Sequence, residues 1–127
     1  MSAPVIIVVD DEALLRWAVA ESLIAAGFSV CQAESAAGAF QCLENAKETP
    51  LVVVLDLKLP DSSDLSLARK IMSERPDAPV IMMTAHGSSQ DKAEAEAAGV
   101  FKFIQKPFDL SEMTSVVRAA TAKLTAR

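Results

Sequence analysis

The chain has 127 residues, 51% of them hydrophobic, with a formal net charge of -5 and a pI near 4.8. This length suits one domain with a single core. No apolar run approaches the roughly 20 residues of a membrane span, and no basic stretch precedes an apolar segment at the N-terminus. The acidic balance argues against nucleic-acid binding, which depends on Lys and Arg. We therefore expect one cytoplasmic domain over residues 1–127, with neither a membrane nor nucleic acid as a direct partner.

Five predicted strands alternate with five predicted helices. The strands span 5–9, 28–32, 51–56, 80–84 and 100–104. The helices run from about 13 to 26, 36 to 47, 65 to 74, 90 to 98 and 111 to 124. Continuous apolar runs predict strands covered on both faces, whereas 28–32 alternates with polar residues as an edge strand does. The pattern predicts an α/β domain with a parallel sheet, two helices on one face and three on the other.

The two cysteines, Cys31 and Cys42, have no metal-ligand or redox spacing. In a reducing compartment such residues are usually small buried hydrophobes. We therefore expect two separate thiols, with a disulfide or sensor pair as the less favoured alternative.

Polar side chains stand where the predicted strands end. They are Asp10 and Asp11 after the first strand, Asp56 at the end of the third, Thr84 at the end of the fourth and Lys106 just beyond the fifth. Ligands collect at the carboxyl ends of strands in open α/β sheets. Three crowded carboxylates favour a bound cation, and oxygen ligands suit Mg²⁺. With a lysine and a hydroxyl beside them, these groups suit phosphoryl transfer, in which Asp56 is the nucleophile.

These residues resemble a known family. In order and approximate spacing, the chain is similar to the receiver domain of two-component response regulators at Asp10-Asp11, Asp56 with Pro60, Thr84-Ala85, Phe103 and Lys106-Pro107. The likeness covers essentially the whole chain. Arg16-Trp17, Thr84-Ala-His86 and Lys106-Pro-Phe-Asp109 look most like receivers of nitrogen-regulation-type activators of σ54 transcription. The resemblance implies a flavodoxin-like (βα)5 fold with strand order 2-1-3-4-5.

The resemblance also implies a ligand set. Asp56 would accept a phosphoryl group from the phosphohistidine of a sensor histidine kinase or histidine phosphotransfer protein. Asp11 and Asp56 would bind Mg²⁺, Asp10 largely through water, and the backbone carbonyl of Lys58 would be a further ligand. The chain would be a switch rather than an enzyme, with only self-catalysed phosphorylation and dephosphorylation.

The switch itself involves further residues. Lys106, Thr84 and Ala85 would contact the phosphoryl group, and the Lys106–Pro107 bond would be cis. Thr84 and Phe103 would change position and remodel the face made by the fourth helix, fifth strand and fifth helix. This face would control an output domain or partner, with transcription as the expected process. Phe101 and the charged fourth helix could also form a homodimer surface there, and the residues leave both monomer and dimer open.

At two positions the chain departs from the pattern of this family. Asp64 lies where these domains commonly have Gly, and Phe103 lacks the hydroxyl of the more usual Tyr.

Two rival functions are alternatives to a phosphorylation switch. An aspartyl-phosphate phosphatase of the haloacid dehalogenase type needs a second acid two residues after its nucleophile, where this chain has Lys58. A phosphorylation-independent interaction module typically loses one of the acidic pair, the acceptor or the lysine. Asp10, Asp11 and Asp61 also have a simpler interpretation as turn or helix-cap residues.

Overall fold

The computed structural model describes residues 3–62, 65–85 and 87–125. Along these residues five strands alternate with five helices: β1 Val5–Val9, α1 Ala13–Ala25, β2 Ser29–Ala33, α2 Ala36–Asn45, β3 Leu51–Asp56, α3 Ser66–Glu74, β4 Val80–Thr84, α4 Ser89–Ala98, β5 Lys102–Gln105 and α5 Leu110–Thr125. The predicted α/β alternation is confirmed. Element ends differ from the predicted ones by one or two residues, as expected where helices and strands fray.

The strands form one parallel sheet in the order β2-β1-β3-β4-β5, which confirms the predicted topology. Every residue of the central strand β3 is buried. Its apolar side chains pack against helices on both faces, which explains the unbroken run from Leu51 to Leu55. Asp56 is therefore carried to the edge of the core by a strand whose residues are all buried.

Two hydrophobic clusters lie on opposite faces of the sheet. One contains residues of α2, α3 and α4, among them Leu43, Ile71 and Ala95. The other contains residues of α1 and α5, among them Leu23 and Met113. Fully burying one such large apolar side chain stabilises the fold by roughly 1.5–3 kcal/mol. The predicted division into two helices and three is confirmed.

Helix α2 has its first backbone N–H groups bound by side chains. Ser35 caps it and accepts a hydrogen bond from the Gly38 N–H at 3.1 Å. The Asp61 carboxylate, from the loop after β3, accepts hydrogen bonds from the N–H groups of Ala36 at 2.7 Å and Ala37 at 3.1 Å. The interpretation of Asp61 as a helix cap is therefore correct, although the helix it caps lies 25 residues away in sequence.

The prediction of two separate cysteine thiols is wrong. Cys31 of β2 and Cys42 of α2 are joined by a disulfide, with their Cα atoms 6.3 Å apart. The reason is topological: α2 folds back over the face of β2, so two residues separated by 11 positions become direct neighbours. Cys42 is buried as expected, whereas Cys31 is half-buried.

No helix within the described residues is long and apolar enough to cross a membrane. Asp64, the first of the two departures from the family pattern, and His86 lie outside the described residues.

Candidate functional site

Three aspartates meet at the carboxyl edge of the sheet. Asp10 directly follows β1, and Asp56 ends the adjacent strand β3. Carboxylate oxygens of Asp10, Asp11 and Asp56 all lie within 4.8 Å of one another. Asp10 is 0% exposed and Asp56 is 6% exposed, while Asp11 faces solvent. The sheet thus brings together two buried carboxylates and one exposed carboxylate, as the sequence predicts.

Lys106 joins this cluster from the end of β5. Its Nζ lies 2.8 Å from Asp10 Oδ2, 2.9 Å from Glu12 Oε1 and 3.1 Å from Asp56 Oδ2. An ammonium group has three N–H donors, so these carboxylates occupy its full donor capacity. The Lys106 side chain is only 8% exposed. Its positive charge is therefore held between Asp56, the candidate acceptor, and the carboxylates of Asp10 and Glu12.

Asp56 has both carboxylate oxygens hydrogen-bonded. Oδ2 accepts from Lys106 Nζ, and Oδ1 accepts from the backbone N–H of Lys58 at 3.2 Å. Burial nevertheless raises the pKa of Asp56 above its usual value, even though the hydrogen bonds from Lys58 and Lys106 lower it. Burial and the nearby Asp10 thus destabilise the ionised Asp56 carboxylate, and additional positive charge in the cleft would offset this effect.

The pKa of Lys106 is shifted in the direction that keeps it charged. Burial opposes the ammonium form, but hydrogen bonds to Asp10 and Glu12 outweigh that effect and raise the pKa above its usual value. Lys106 therefore remains a fixed positive charge over the whole physiological pH range.

Asp10 is held in place by contacts that the sequence did not predict. Its Oδ1 accepts from the backbone N–H of Glu12 at 2.8 Å, and its backbone carbonyl accepts from Arg16 Nη1 at 2.7 Å. Arg16 also donates from Nε to Gln32 Oε1 at 3.2 Å. Arg16 therefore fixes the loop that carries Asp10, whereas the sequence singled it out only as part of a family likeness.

Glu12 is the charged site residue that sequence reasoning missed. Its carboxylate contacts Lys106 Nζ, although the Glu12 side chain is 60% exposed. Its position immediately after the acidic pair, at the strand end, is the signal that could have identified it.

Thr84 and Phe103 approach each other beneath the loop between β4 and α4. Thr84 is buried, Phe103 is half-buried and Ala85 is exposed. A Cβ atom added at Gly87 would lie 2.4 Å from Thr84 Cγ2 and 2.9 Å from Phe103 Cζ. Because real Cβ contacts are not this short, the predicted switch residues pack against space that Gly87 leaves free. Gly87 is a second residue that sequence reasoning missed.

The side chains surround an open cleft of about 180 Å³. It is lined by Asp11, Glu12, Asp56, Lys58, Thr84, Ala85 and Lys106. The Lys106–Pro107 peptide bond beside it is cis. The cleft therefore gathers the predicted phosphoryl-contacting residues around the buried carboxylate.

The donor set of the cleft fits Mg²⁺. Asp10, Asp11 and Asp56 offer hard oxygen ligands, and the loop at Lys58 borders the same space. Four carboxylates, counting Glu12, outnumber the cations Lys58 and Lys106 among the described residues around the cleft. A divalent cation would reduce this excess of negative charge.

Comparison with known proteins agrees with this geometry. A sequence profile described as the response regulator receiver domain matches residues 6–118. The chain belongs to the response regulator receiver domain family. Receiver domains are phosphorylation switches of two-component signalling and bind Mg²⁺ at an acidic pocket. The predicted family and its general function are confirmed.

Two curated relatives are full-length regulators. The DNA-binding transcriptional regulator NtrC of Escherichia coli strain K12 is 33% identical over 120 residues, which are 94% of this chain and 25% of that protein. The C4-dicarboxylate transport transcriptional regulatory protein DctD of Rhizobium meliloti strain 1021 is 34% identical over 122 residues, covering 96% of this chain and 26% of that protein. The receiver chain thus spans about a quarter of these relatives. The predicted likeness to receivers of the nitrogen-regulation type is confirmed.

A solved receiver domain gives the same result. The receiver domain of NtrX from Brucella abortus is 31% identical, with a TM-score of 0.79 over 96% of this chain and 99% of that one. A CheY-like receiver protein from Methanospirillum hungatei JF-1 is 24% identical with a TM-score of 0.89 over 98% of both chains, which shows a shared fold. The flavodoxin-like receiver fold is therefore confirmed.

Proposed function

We propose that Asp56 of this receiver accepts a phosphoryl group from the phosphohistidine of a sensor histidine kinase or histidine phosphotransfer protein. One observation carries the proposal: Lys106 Nζ lies within hydrogen-bond distance of both Asp56 and Asp10, in a cleft that exposes the acceptor carboxylate to a donor. A carboxylate nucleophile beside a fixed cation is the arrangement that phosphoryl transfer to aspartate requires.

The transfer exchanges one bond to phosphorus for another. An Asp56 carboxylate oxygen forms the new O–P bond while the P–N bond to the donor imidazole breaks, and the imidazole nitrogen keeps the electron pair. Lys106 gives up part of its contact with the carboxylates and donates instead to a phosphoryl oxygen. Its raised pKa keeps it protonated during this exchange. In self-catalysed dephosphorylation, a water oxygen forms a bond to the same phosphorus while the Asp56 O–P bond breaks, which regenerates the carboxylate and releases inorganic phosphate and a proton.

Mg²⁺ would be held by Asp11 and Asp56, by Asp10 largely through water, and by the Lys58 carbonyl. When bound, it offsets the negative charge that the phosphoryl oxygens bring to the cleft. The three aspartates position it, and their excess negative charge is the feature of this chain that supports the proposal.

The readout is the surface formed by α4, β5 and α5. Thr84 ends β4 and contacts the cleft, while Phe103 on β5 packs near it through the space at Gly87. Movement of Thr84 and Ala85 toward the phosphoryl group would therefore open room for Phe103 to move inward. A complete change of population, from 1:99 to 99:1, needs about 5.5 kcal/mol of differential stabilisation.

Exposed apolar side chains beside the cleft support a protein donor. Leu14 and Trp17 project from the first turns of α1, and Leu110 begins α5. Leu15 and Phe108, their near neighbours in sequence, line an apolar hollow together with Pro107 and Lys106. A helical donor that covers these side chains would deliver its phosphohistidine to Asp56.

We further propose that residues 1–127 form one cytoplasmic domain without membrane or direct nucleic-acid contacts. Its relatives are longer transcriptional regulators, so the partner proposed for the α4, β5 and α5 surface is an output domain or a second receiver. The net charge of -5 agrees with a regulator whose nucleic-acid contacts lie in another domain.

The proposal is tested by intact mass after incubation with Mg²⁺ and acetyl phosphate. The expected result is a gain of one phosphoryl group that disappears in Asp56→Asn and with EDTA. A matched control is Asp77→Asn, which removes an exposed carboxylate far from the cleft and should be phosphorylated normally. No gain in the unmodified chain would instead favour an interaction module that works without phosphorylation.

A further inference from the structure

The disulfide between Cys31 and Cys42 lies apart from the phosphoryl-acceptor cleft. Cys31 is the third residue of β2, and Cys42 lies within α2 on the side that faces the sheet. Their Cα atoms are 6.3 Å apart, inside the range of roughly 4.4–6.8 Å that disulfides occupy. Neither residue lines the cleft.

We propose that Cys31 and Cys42 form a reversible thiol–disulfide modification site on the edge of the receiver. In a reducing compartment, protein disulfides are rare, and those that form are usually transient or redox-sensing. A pair that the fold already holds at bonding distance needs no rearrangement of the backbone to close. The oxidant is a disulfide compound of the glutathione class, and a dithiol or excess thiol reverses the reaction.

The difference in exposure between Cys31 and Cys42 decides which sulfur reacts first with the oxidant. β2 is the edge strand of the sheet, and Cys31 is half-buried, so an external disulfide can reach it. Cys42 is 4% exposed and packs in the apolar cluster beneath α2. Cys31 is therefore the sulfur that reacts with the external compound, and Cys42 is the sulfur that resolves the intermediate.

The two steps balance in atoms and electrons. The Cys31 thiolate attacks one sulfur of the oxidant, forming a mixed disulfide and releasing one thiolate. The Cys42 thiolate then attacks the Cys31 sulfur, forming the protein disulfide and releasing a second thiolate. Two protein thiols are oxidised, one external disulfide is reduced, and the two protons leave with the released thiols.

The bond should act on stability rather than on phosphoryl transfer. It fastens the edge strand β2 to α2 and closes a segment that includes the Ser35 cap. Within this segment, the Ala33 carbonyl accepts from the Asp10 N–H at 3.0 Å, a backbone contact of β2 that involves neither sulfur. The bond therefore reinforces one edge of the sheet and leaves the cleft side chains unaltered.

The decisive experiment uses the full chain in a series of reduced and oxidised glutathione mixtures. Samples are quenched by alkylation in denaturant, and intact mass counts the blocked thiols. The expected course runs from two alkylated cysteines to none, with a mass loss of about 2 Da for the bridged form and no lasting glutathione adduct. In denaturant, forming the disulfide should need at least a tenfold higher ratio of oxidised to reduced glutathione, because unfolding separates the sulfurs.

Two variants test the order of reaction. Cys42→Ser should accumulate a mixed disulfide at Cys31, whereas Cys31→Ser should leave Cys42 at least tenfold slower to react. In the unmodified chain, the bridged form should melt about 10 °C higher than the reduced form. Two free thiols at every glutathione ratio, a persistent adduct on Cys31, or a disulfide-linked dimer would each overturn the proposal.

Discussion

Lys106 Nζ lies 2.9 Å from Glu12 Oε1, and Glu12 is the most exposed of the three carboxylates that the lysine contacts. Asp10 and Asp56 hold Lys106 from buried positions, so Glu12 is the partner that an incoming phosphoryl group can most easily replace. The exposed carboxylate thus competes with the phosphoryl group for the lysine. This competition predicts that the ion pair between Glu12 and Lys106 lowers the rate of phosphorylation.

Replacing Glu12 by Gln is expected to speed phosphorylation by acetyl phosphate about threefold. Exposed ion pairs contribute at most about 1 kcal/mol, which limits the effect to less than tenfold. The measurement is the initial rate of phosphoryl gain by intact mass at fixed Mg²⁺. Glu21→Gln, an exposed carboxylate on α1 outside the cleft, is the control and should leave the rate unchanged. A slower rate in Glu12→Gln would contradict the competition.

Asp56→Asn is expected to stabilise the fold at pH 7. Burial raises the pKa of Asp56 above its unfolded value of 3.8, so the folded state favours the protonated carboxyl. The contribution of this group to stability is greatest below pH 3.8 and is lost as the pH rises through the folded pKa. The neutral amide in Asp56→Asn avoids that loss. The difference in stability between the variant and the unmodified chain should therefore shrink as the pH falls toward 4.

The measurement is thermal unfolding of both proteins at pH 7 and pH 4. Asp56→Asn should melt several degrees higher than the unmodified chain at pH 7, with a smaller difference at pH 4. Glu34→Gln replaces an exposed carboxylate and should show no such pattern. An asparagine variant that melts lower at pH 7 is the result that contradicts the argument.

Gly87→Ala is expected to lower the free energy of unfolding by about 1–3 kcal/mol, the usual cost of overpacking. The added methyl would meet Thr84 Cγ2 at 2.4 Å and the Phe103 ring at 2.9 Å. Thr84→Ser removes the clashing methyl, so the alanine should cost less in that background. A double-mutant cycle of denaturant unfolding measures this coupling, and a coupling energy of zero would argue against the contact.

Gly87→Ala should also change the switch. Because the methyl occupies space between Thr84 and Phe103, the aromatic ring should be displaced in the unphosphorylated state, which NMR of the Phe103 ring would detect. Gly38→Ala is a suitable control, since its Cβ would approach Ala33 Cβ at 3.2 Å, away from both switch residues.

Asp61→Asn is expected to lower the melting temperature at pH 7 by about 3 °C, through weaker capping of α2. Hydrogen bonds from the N–H groups of Ala36 and Ala37 lower the pKa of Asp61 below 3.8. The stabilisation is therefore present above pH 3.8 and is lost as the pH falls through the lower, folded pKa. Melting curves of the two proteins should converge once the pH has fallen through the folded pKa, whereas a constant difference would point to another cause.

The architecture and most of the cleft follow from local patterns in the sequence. Continuous apolar runs such as Leu51 to Leu55 must be covered on both faces, so strand type, alternation with helices and the position of Asp56 at a strand end all follow from local pattern. Parallel strands then place Asp10, Asp56, Thr84 and Lys106 on one edge, because their carboxyl ends coincide.

The contacts between residues far apart in the chain depend on how the whole chain packs. Asp61 caps a helix that precedes it by 25 residues, and Lys106 reaches Glu12 across 94 positions. Gly87 matters because of a ring on β5, and Cys31 meets Cys42 because α2 folds over β2. Hydropathy and spacing report which face a residue occupies. Which side chain it meets there depends on the packing of the whole sheet and its helices, and that packing is a property of the folded chain.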